Sequence, residues 1–164
     1  MAVSGTGATG KGQVGADGIT RIVEVGAKPE TAREAVAEAW LVTTPEAVGH
    51  LVAGTKKGSP IESAKLAGVI GVKRTPDLLP HCHPIRVTGT EVSIEPDPVA
   101  GRLRVETRVR AVDRTGVEME ALTAAAVAAL SLYDTAKAFD RSARIEGVRL
   151  LEKSGGASGD YRAG

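Results

Sequence analysis

Apolar and polar positions change their period several times along the chain, and each change marks an element. Residues 33–42 admit two readings. Their Ala and Glu content favours a helix, yet Val36, Glu38, Trp40 and Val42 alternate with Ala35, Ala37, Ala39 and Leu41 as a strand does. Just before them, Arg21-Ile22-Val23-Glu24-Val25 is the first β-forming stretch, and folded structure is expected to start there. Thr44 caps a short helix with Pro45 in its first turn, closed by Gly54 to Gly58. A second helix runs from Pro60 to about Lys73: Ser59 and Glu62 form a capping box, and Leu66, Val69, Ile70 and Lys73 fall at helical spacing.

Pro76, Pro80 and Pro84 are expected to forbid regular structure until Ile85. Residues 85–96 and 102–112 then alternate as an antiparallel pair around the turn Asp97-Pro98-Val99-Ala100-Gly101. The longest element is an Ala- and Leu-rich helix over residues 118–139, followed by a strand over 143–151 and the loop Lys153-Ser154-Gly155-Gly156. Strand, helix, helix, strand, strand, helix, strand is a split βαβ pattern with one helix added: a ferredoxin-like α+β fold on a four-stranded antiparallel sheet. Such a fold hosts many functions and decides none of them.

At 164 residues the chain suits one domain. It divides into a Gly-rich tail over residues 1–20, a single domain over 21–159 and a short C-terminal tail over 160–164. In the first tail, Gly5-Thr6-Gly7-Ala8-Thr9-Gly10-Lys11 imitates a phosphate-binding P-loop, but Gly12 stands where Ser or Thr is required. No strand precedes it and no helical pattern follows. The tail lacks the apolar segment of a secretory signal, and no apolar run approaches the length of a bilayer span, so a cytoplasmic protein is expected. The net charge of +1 argues against a general nucleic-acid or membrane-surface binder. Trp40, Tyr133, Phe139 and Tyr161 are the whole aromatic supply, too few to stack a nucleic-acid strand. Cys82 is the single cysteine, which excludes an internal disulfide.

Four segments carry candidate chemistry. Gly54-Thr55-Lys56-Lys57-Gly58-Ser59 is a basic loop running into a helix N-terminus, either an anion site or a solvated turn. Lys73 to Pro84 is a proline-stiffened stretch displaying His81, Cys82 and His83. These alternate in direction when extended and make a poor metal site; a phosphate contact, a proton relay and a structural role stay open for the histidines. Thr115 to Thr123, with Asp134 and Lys137 further along, is the third. In a continuous helix Glu120 and Asp134 lie close to four turns apart on nearly one face, with small residues between them. Asp134 and Lys137 then form either a plain surface pair or, if buried, a tuned acid–base pair. The fourth is Arg149 to Gly159, a strand running into a Gly/Ser loop with Lys153 at its mouth, either a closing phosphate contact or a frayed terminus.

From Ile22 to Gly159 these segments resemble the cyclic pyranopterin monophosphate synthase family of molybdenum cofactor biosynthesis. The resemblance is carried by Lys73-Arg74-Thr75 with Asp77-Leu78, by Cys82-His83-Pro84, and above all by Thr115 to Thr123. It implies a lyase that converts 3′,8-cyclo-7,8-dihydro-GTP to cyclic pyranopterin monophosphate with release of pyrophosphate, without metal or organic cofactor. It also implies a homohexamer, a trimer of dimers, with sites at subunit interfaces. Carried over by position, Asp134, Lys137, Lys57, Glu118 and Glu120 are the expected catalytic residues. Arg33, Lys73, His83, Met119 and Lys153 are the expected substrate and phosphate contacts. Ser59 replaces the family's Asp after Lys-Gly, Lys65 replaces a common Arg, and His81 replaces an aliphatic residue. Those departures keep two alternatives in view: a relative acting on another purine nucleotide, and a non-catalytic nucleotide-binding oligomeric module.

Overall fold

The computed structural model describes residues 18–157 and 159–164. The P-loop-like segment, Gly5 to Lys11, lies outside the described residues. In chain order the elements are β1 (Thr31–Val42), α1 (Pro45–Ala53), α2 (Pro60–Leu78), β2 (Val87–Asp97), β3 (Arg102–Asp113), α3 (Glu118–Ala136), β4 (Arg144–Ser154) and β5 (Tyr161–Arg162). The strands form one sheet in the order β2-β3-β1-β4-β5, with every neighbouring pair antiparallel. The fold is α+β, with five strands where four were expected.

β1 settles the double reading of residues 33–42. It is the middle strand, paired on both sides, and Ala35, Ala37, Ala39 and Leu41 are fully buried beneath the helices. The alanines that suggested a helix instead let α3 sit close to the sheet. That helix meets them with Ala121, Ala124, Ala125, Ala128 and Ala129, all fully buried. Arg21 to Val25, expected to open the folded part, form no strand, and Ile22 and Val23 stay largely exposed. β-forming residues there have no partner strand to complete a ladder.

The helix caps agree with the expectation. Thr44 accepts from the Ala47 N–H at 3.2 Å, and Ser59 accepts from the Glu62 N–H at 3.2 Å. Pro76, in contrast, does not stop α2. It stands in the last turn, so the one bond it withholds, to the Val72 carbonyl, interrupts only the end of the ladder; the Thr75 hydroxyl donates to the Gly71 carbonyl at 3.0 Å, and the helix continues to Leu78. α2 lies against α3 through Gly68 and Gly71. A Cβ at Gly71 would stand 3.3 Å from the Thr123 carbonyl oxygen, so glycine sets the closeness of the two helices.

α3 ends at Ala136, a turn short of expectation, and β4 runs on to Ser154, so Lys153 belongs to the strand and not to the loop after it. The chain then turns at Gly155 and Gly156, both at φ +86, and Asp160 accepts from the Gly155 N–H at 3.2 Å. Within residues 160–164, read as a tail, Tyr161 and Arg162 return as β5 on the edge of β4.

The helix-free face of the sheet carries an ion-pair lattice. Glu38, only 4% exposed, accepts from Arg104 Nε and Arg149 Nε, each at 2.8 Å. Glu34 bridges Arg108 and Arg110 at 2.5 and 2.8 Å. Burial acts to raise both carboxyls, but the arginine hydrogen bonds and charges outweigh it and hold them below the ordinary glutamate range. Among the described residues, no helix is long and apolar enough to cross a membrane.

Candidate functional site

The expected site residues occupy three places on the subunit. The first is a groove of about 710 Å³ between the Thr55–Gly58 turn, the start of α2 and the end of α3. Lys57, Asp134, Lys56, Ser63, Ser131 and Phe139 are among its lining residues. The turn is closed by reciprocal backbone bonds between Thr55 and Gly58, at 2.9 and 3.0 Å, and the Lys57 N–H donates to the Thr55 hydroxyl. This holds both lysines at the mouth of the groove. On the far wall Lys137 Nζ donates to Asp134 Oδ1 at 2.6 Å. Lys137 and, less strongly, Lys57 hold the Asp134 carboxyl below its ordinary value, while Asp134 raises the Lys137 ammonium. In the isolated subunit this is the exposed form of the pair, charged on both partners.

The second place is at the opposite end of α3. Lys153 Nζ stands 3.3 Å from Glu118 Oε1, both only partly exposed. Glu118 also lines a concavity of about 980 Å³ with Arg33, Lys28, Arg114 and Gly156. Arg33 donates to the Arg114 carbonyl at 3.3 Å and, at the limit of bonding distance, to the Gly155 carbonyl at 3.5 Å. The Arg33 guanidinium lies in the space that a side chain at Gly156 would take. Met119, 41% exposed, follows Glu118 in the first turn of α3.

The third place is a cavity of about 430 Å³ between α2, the Pro84–Val87 segment and α3, lined by Glu120, Lys73, Pro84, Arg86 and Thr90 among others. Glu120 is 2% exposed, and neither carboxyl oxygen has a hydrogen-bond partner. Burial, followed by the charges of Glu118 and Asp113, pushes its pKa up to about 7. Burial and the nearby Glu120 also raise the Cys82 thiol. His83 is half-buried next to Pro84, which forms part of the cavity wall. His81 Nδ1 is buried without a partner.

The expectation that Glu120 and Asp134 share one face of α3 needs correction in its consequence. The helix is continuous, but Glu120 is buried whereas the Asp134 side chain is 75% exposed; of the small residues between them, Thr123, Ala124 and Val127 pack against Gly71 of α2, while Ser131 lines the first groove. Sixteen residues separate Glu118 from Asp134, about 24 Å along the axis, so the two ends of α3 cannot touch one small molecule. A single subunit thus brings together Lys57 with Asp134 and Lys137, Arg33 with Glu118 and Lys153, and Lys73 with Glu120. It does not bring the three groups to one point.

Ser63 and Phe139 in the first groove escaped the sequence reading, and Lys56 and Arg149 were named there only as members of candidate segments. Ser63 and Phe139 left no local signal, because helix packing and not a motif places them at the groove. Among the described residues no group of three or more His, Cys, Asp or Glu side chains is arranged to hold a metal ion.

Comparison with known proteins identifies the family. Residues 22–156 match the model of the MoaC family. The chain is 49% identical over 148 residues to the cyclic pyranopterin monophosphate synthase of Parvibaculum lavamentivorans, covering 89% of this chain and 92% of that protein. It is 50% identical over 145 residues to the enzymes of the same name from Brucella ovis and Brucella melitensis, covering 88% of either chain.

Proposed function

The chain belongs to the MoaC family, and from that premise we propose that it is a cyclic pyranopterin monophosphate synthase, a lyase of molybdenum cofactor biosynthesis. The observation that carries this reading is identity of about half the residues across nearly nine-tenths of the chain, to relatives that bear that name. The strand order β2-β3-β1-β4, with α2 and α3 on one face, supports the ferredoxin-like form of the fold.

The substrate is 3′,8-cyclo-7,8-dihydro-GTP. Closing the cyclic phosphate breaks the bond between the α- and β-phosphates, and pyrophosphate leaves with the electron pair. Cations must meet the charge that builds on the departing oxygens. Lys57, Arg33, Lys73, His83 and Lys153 supply them, and Met119 lies against the substrate beside Glu118. The ring rearrangement moves protons on and off the heterocycle. Glu120 suits this step because its carboxyl titrates near neutrality and has no partner in the fold to compete for its proton. Asp134 and Lys137 serve as a second proton-handling pair, with Glu118 holding Lys153 in place.

Because the two ends of α3 lie too far apart for one ligand, the active site is completed across a subunit boundary. One subunit contributes the Lys57–Asp134–Lys137 groove and its neighbour the Glu118–Lys153–Arg33 cluster. The assembly is a hexamer built as a trimer of dimers, working in the cytoplasm. The deciding experiment is incubation of the purified protein with the cyclised dihydro-GTP, followed by detection of pyrophosphate and of a fluorescent pterin derivative. Formation of both in equal amounts supports the assignment; unchanged substrate overturns it.

A further inference from the structure

The C-terminal strand brings to the Glu118–Lys153 pair a residue with no role so far. In the register of β4 and β5, Lys153 stands directly opposite Tyr161, and side chains of directly opposed residues share one face of a sheet. Tyr161 therefore lies beside Lys153. It lines the concavities on both sides of that lysine, one of about 350 Å³ with Glu152, Asp160 and Arg162, the other of about 460 Å³ with Glu118 and Leu150. Tyr161 is 47% exposed, so a large part of the residue remains open to a ligand. The turn that delivers it is held by the Asp160–Gly155 bond.

We infer that Tyr161 is a substrate-binding residue whose ring packs against the planar heterocycle of a purine-type nucleotide. The larger of these two concavities combines an apolar wall, Tyr161 with Leu150 and Ala163, and an ionic rim, Lys153, Arg149 and Glu118. A flat base joined to an anion matches both parts. In a chain with only four aromatic residues, one placed at the rim of an ionic cleft by a two-residue strand has no core to fill. The ring is a flat, sequence-tolerant surface for a base, while the phosphates meet the lysine.

The inference rests on the proposed reaction only for its choice of nucleotide, and it is tested by two readouts on the full chain. GTP serves as a stable probe in calorimetric titration, and KM and kcat are measured on the cyclised substrate. Tyr161→Phe keeps the ring; Tyr161→Ile keeps strand propensity and bulk but removes the ring. The expected result is GTP affinity and KM within about two-fold of wild type for Y161F. For Y161I, both weaken about ten-fold, with kcat and melting temperature little changed. Y161I equal to wild type, Y161F as weak as Y161I, or a wild-type chain that binds no GTP would overturn it. A wild-type chain that binds GTP but turns over no substrate would count against the proposed reaction, while the titration still decides the role of Tyr161.

Discussion

Lys137 and Asp134, one turn apart near the end of α3, are joined by a 2.6 Å hydrogen bond on the rim of the groove that also holds Lys57. Each favours the charged form of the other, so the free subunit presents a carboxylate and an ammonium fixed at known positions. Exposed pairs of this kind contribute little to stability. Asp134 lines the same groove as Lys57, and the proton handling proposed for the pair does not depend on any contribution to folding.

Replacing either partner therefore separates activity from folding. Asp134→Ala and Lys137→Ala are each expected to lower kcat at least about a hundred-fold, the usual worth of a positioned acid or base. Melting temperature should move by no more than a degree or two. Turnover assays beside calorimetric melts check this; a folded variant with normal turnover would remove the pair from the mechanism.

Glu120 predicts a pH effect of definite sign. Its folded pKa is about 7 against an ordinary 4.5, so the folded chain holds this proton more tightly than the unfolded chain does. Its contribution to stability is therefore greatest below pH 4.5 and declines as pH rises through 7. Glu120→Gln cannot ionise, so its stability relative to wild type should climb by about 3 kcal/mol between those limits and then level off. Urea unfolding at a series of pH values measures this directly. Parallel curves for the two proteins would show that Glu120 is not held in its neutral form. Turnover of the same variant should also lose its dependence on a group titrating near neutrality.

Glu38 behaves in the opposite sense. Its carboxyl is held below the ordinary value by Arg104 and Arg149 despite burial, so its contribution is present above about pH 4.5 and lost as pH falls through the lowered folded value. Glu38→Ala removes the acceptor from Arg104, itself only 24% exposed, and should cost on the order of 3 kcal/mol near neutrality. Acid titration of the unfolding midpoint should show the two proteins converging below pH 4. A constant gap would assign the cost to packing instead.

Much of this was legible in the residues, and the failures have physical reasons. Helix starts were read correctly because Thr44 and Ser59 act through bonds to residues three positions away. The pairing of β2 with β3, which sets Ile94 opposite Val105, was visible as two alternating runs about a turn. Residues 33–42 stayed ambiguous because Ala serves a helix by propensity and a middle strand by size; only the helix packed on it decides. Pro76 misled because the penalty for proline depends on its distance from the helix end, which a local pattern does not contain. β5 left no signal since two residues have no period, and Tyr161 gained its place from register alone. The candidate site residues were nominated by motif, but their division into three places was not. A motif names chemistry without distance, and 24 Å of helix separates Glu118 from Asp134.

That separation gives the most direct measurement of the central claim, that one active site is assembled from two subunits. Lys57→Ala and Lys153→Ala proteins, each inactive alone, are mixed, unfolded and refolded together so that subunits redistribute at random. Half of the resulting pairs then contain one of each, and one site in each such pair carries neither substitution, which restores about a quarter of wild-type turnover. Recovery near that level is the predicted result. Mixed oligomers, verified by mass, that remain as inactive as their parents would contradict it.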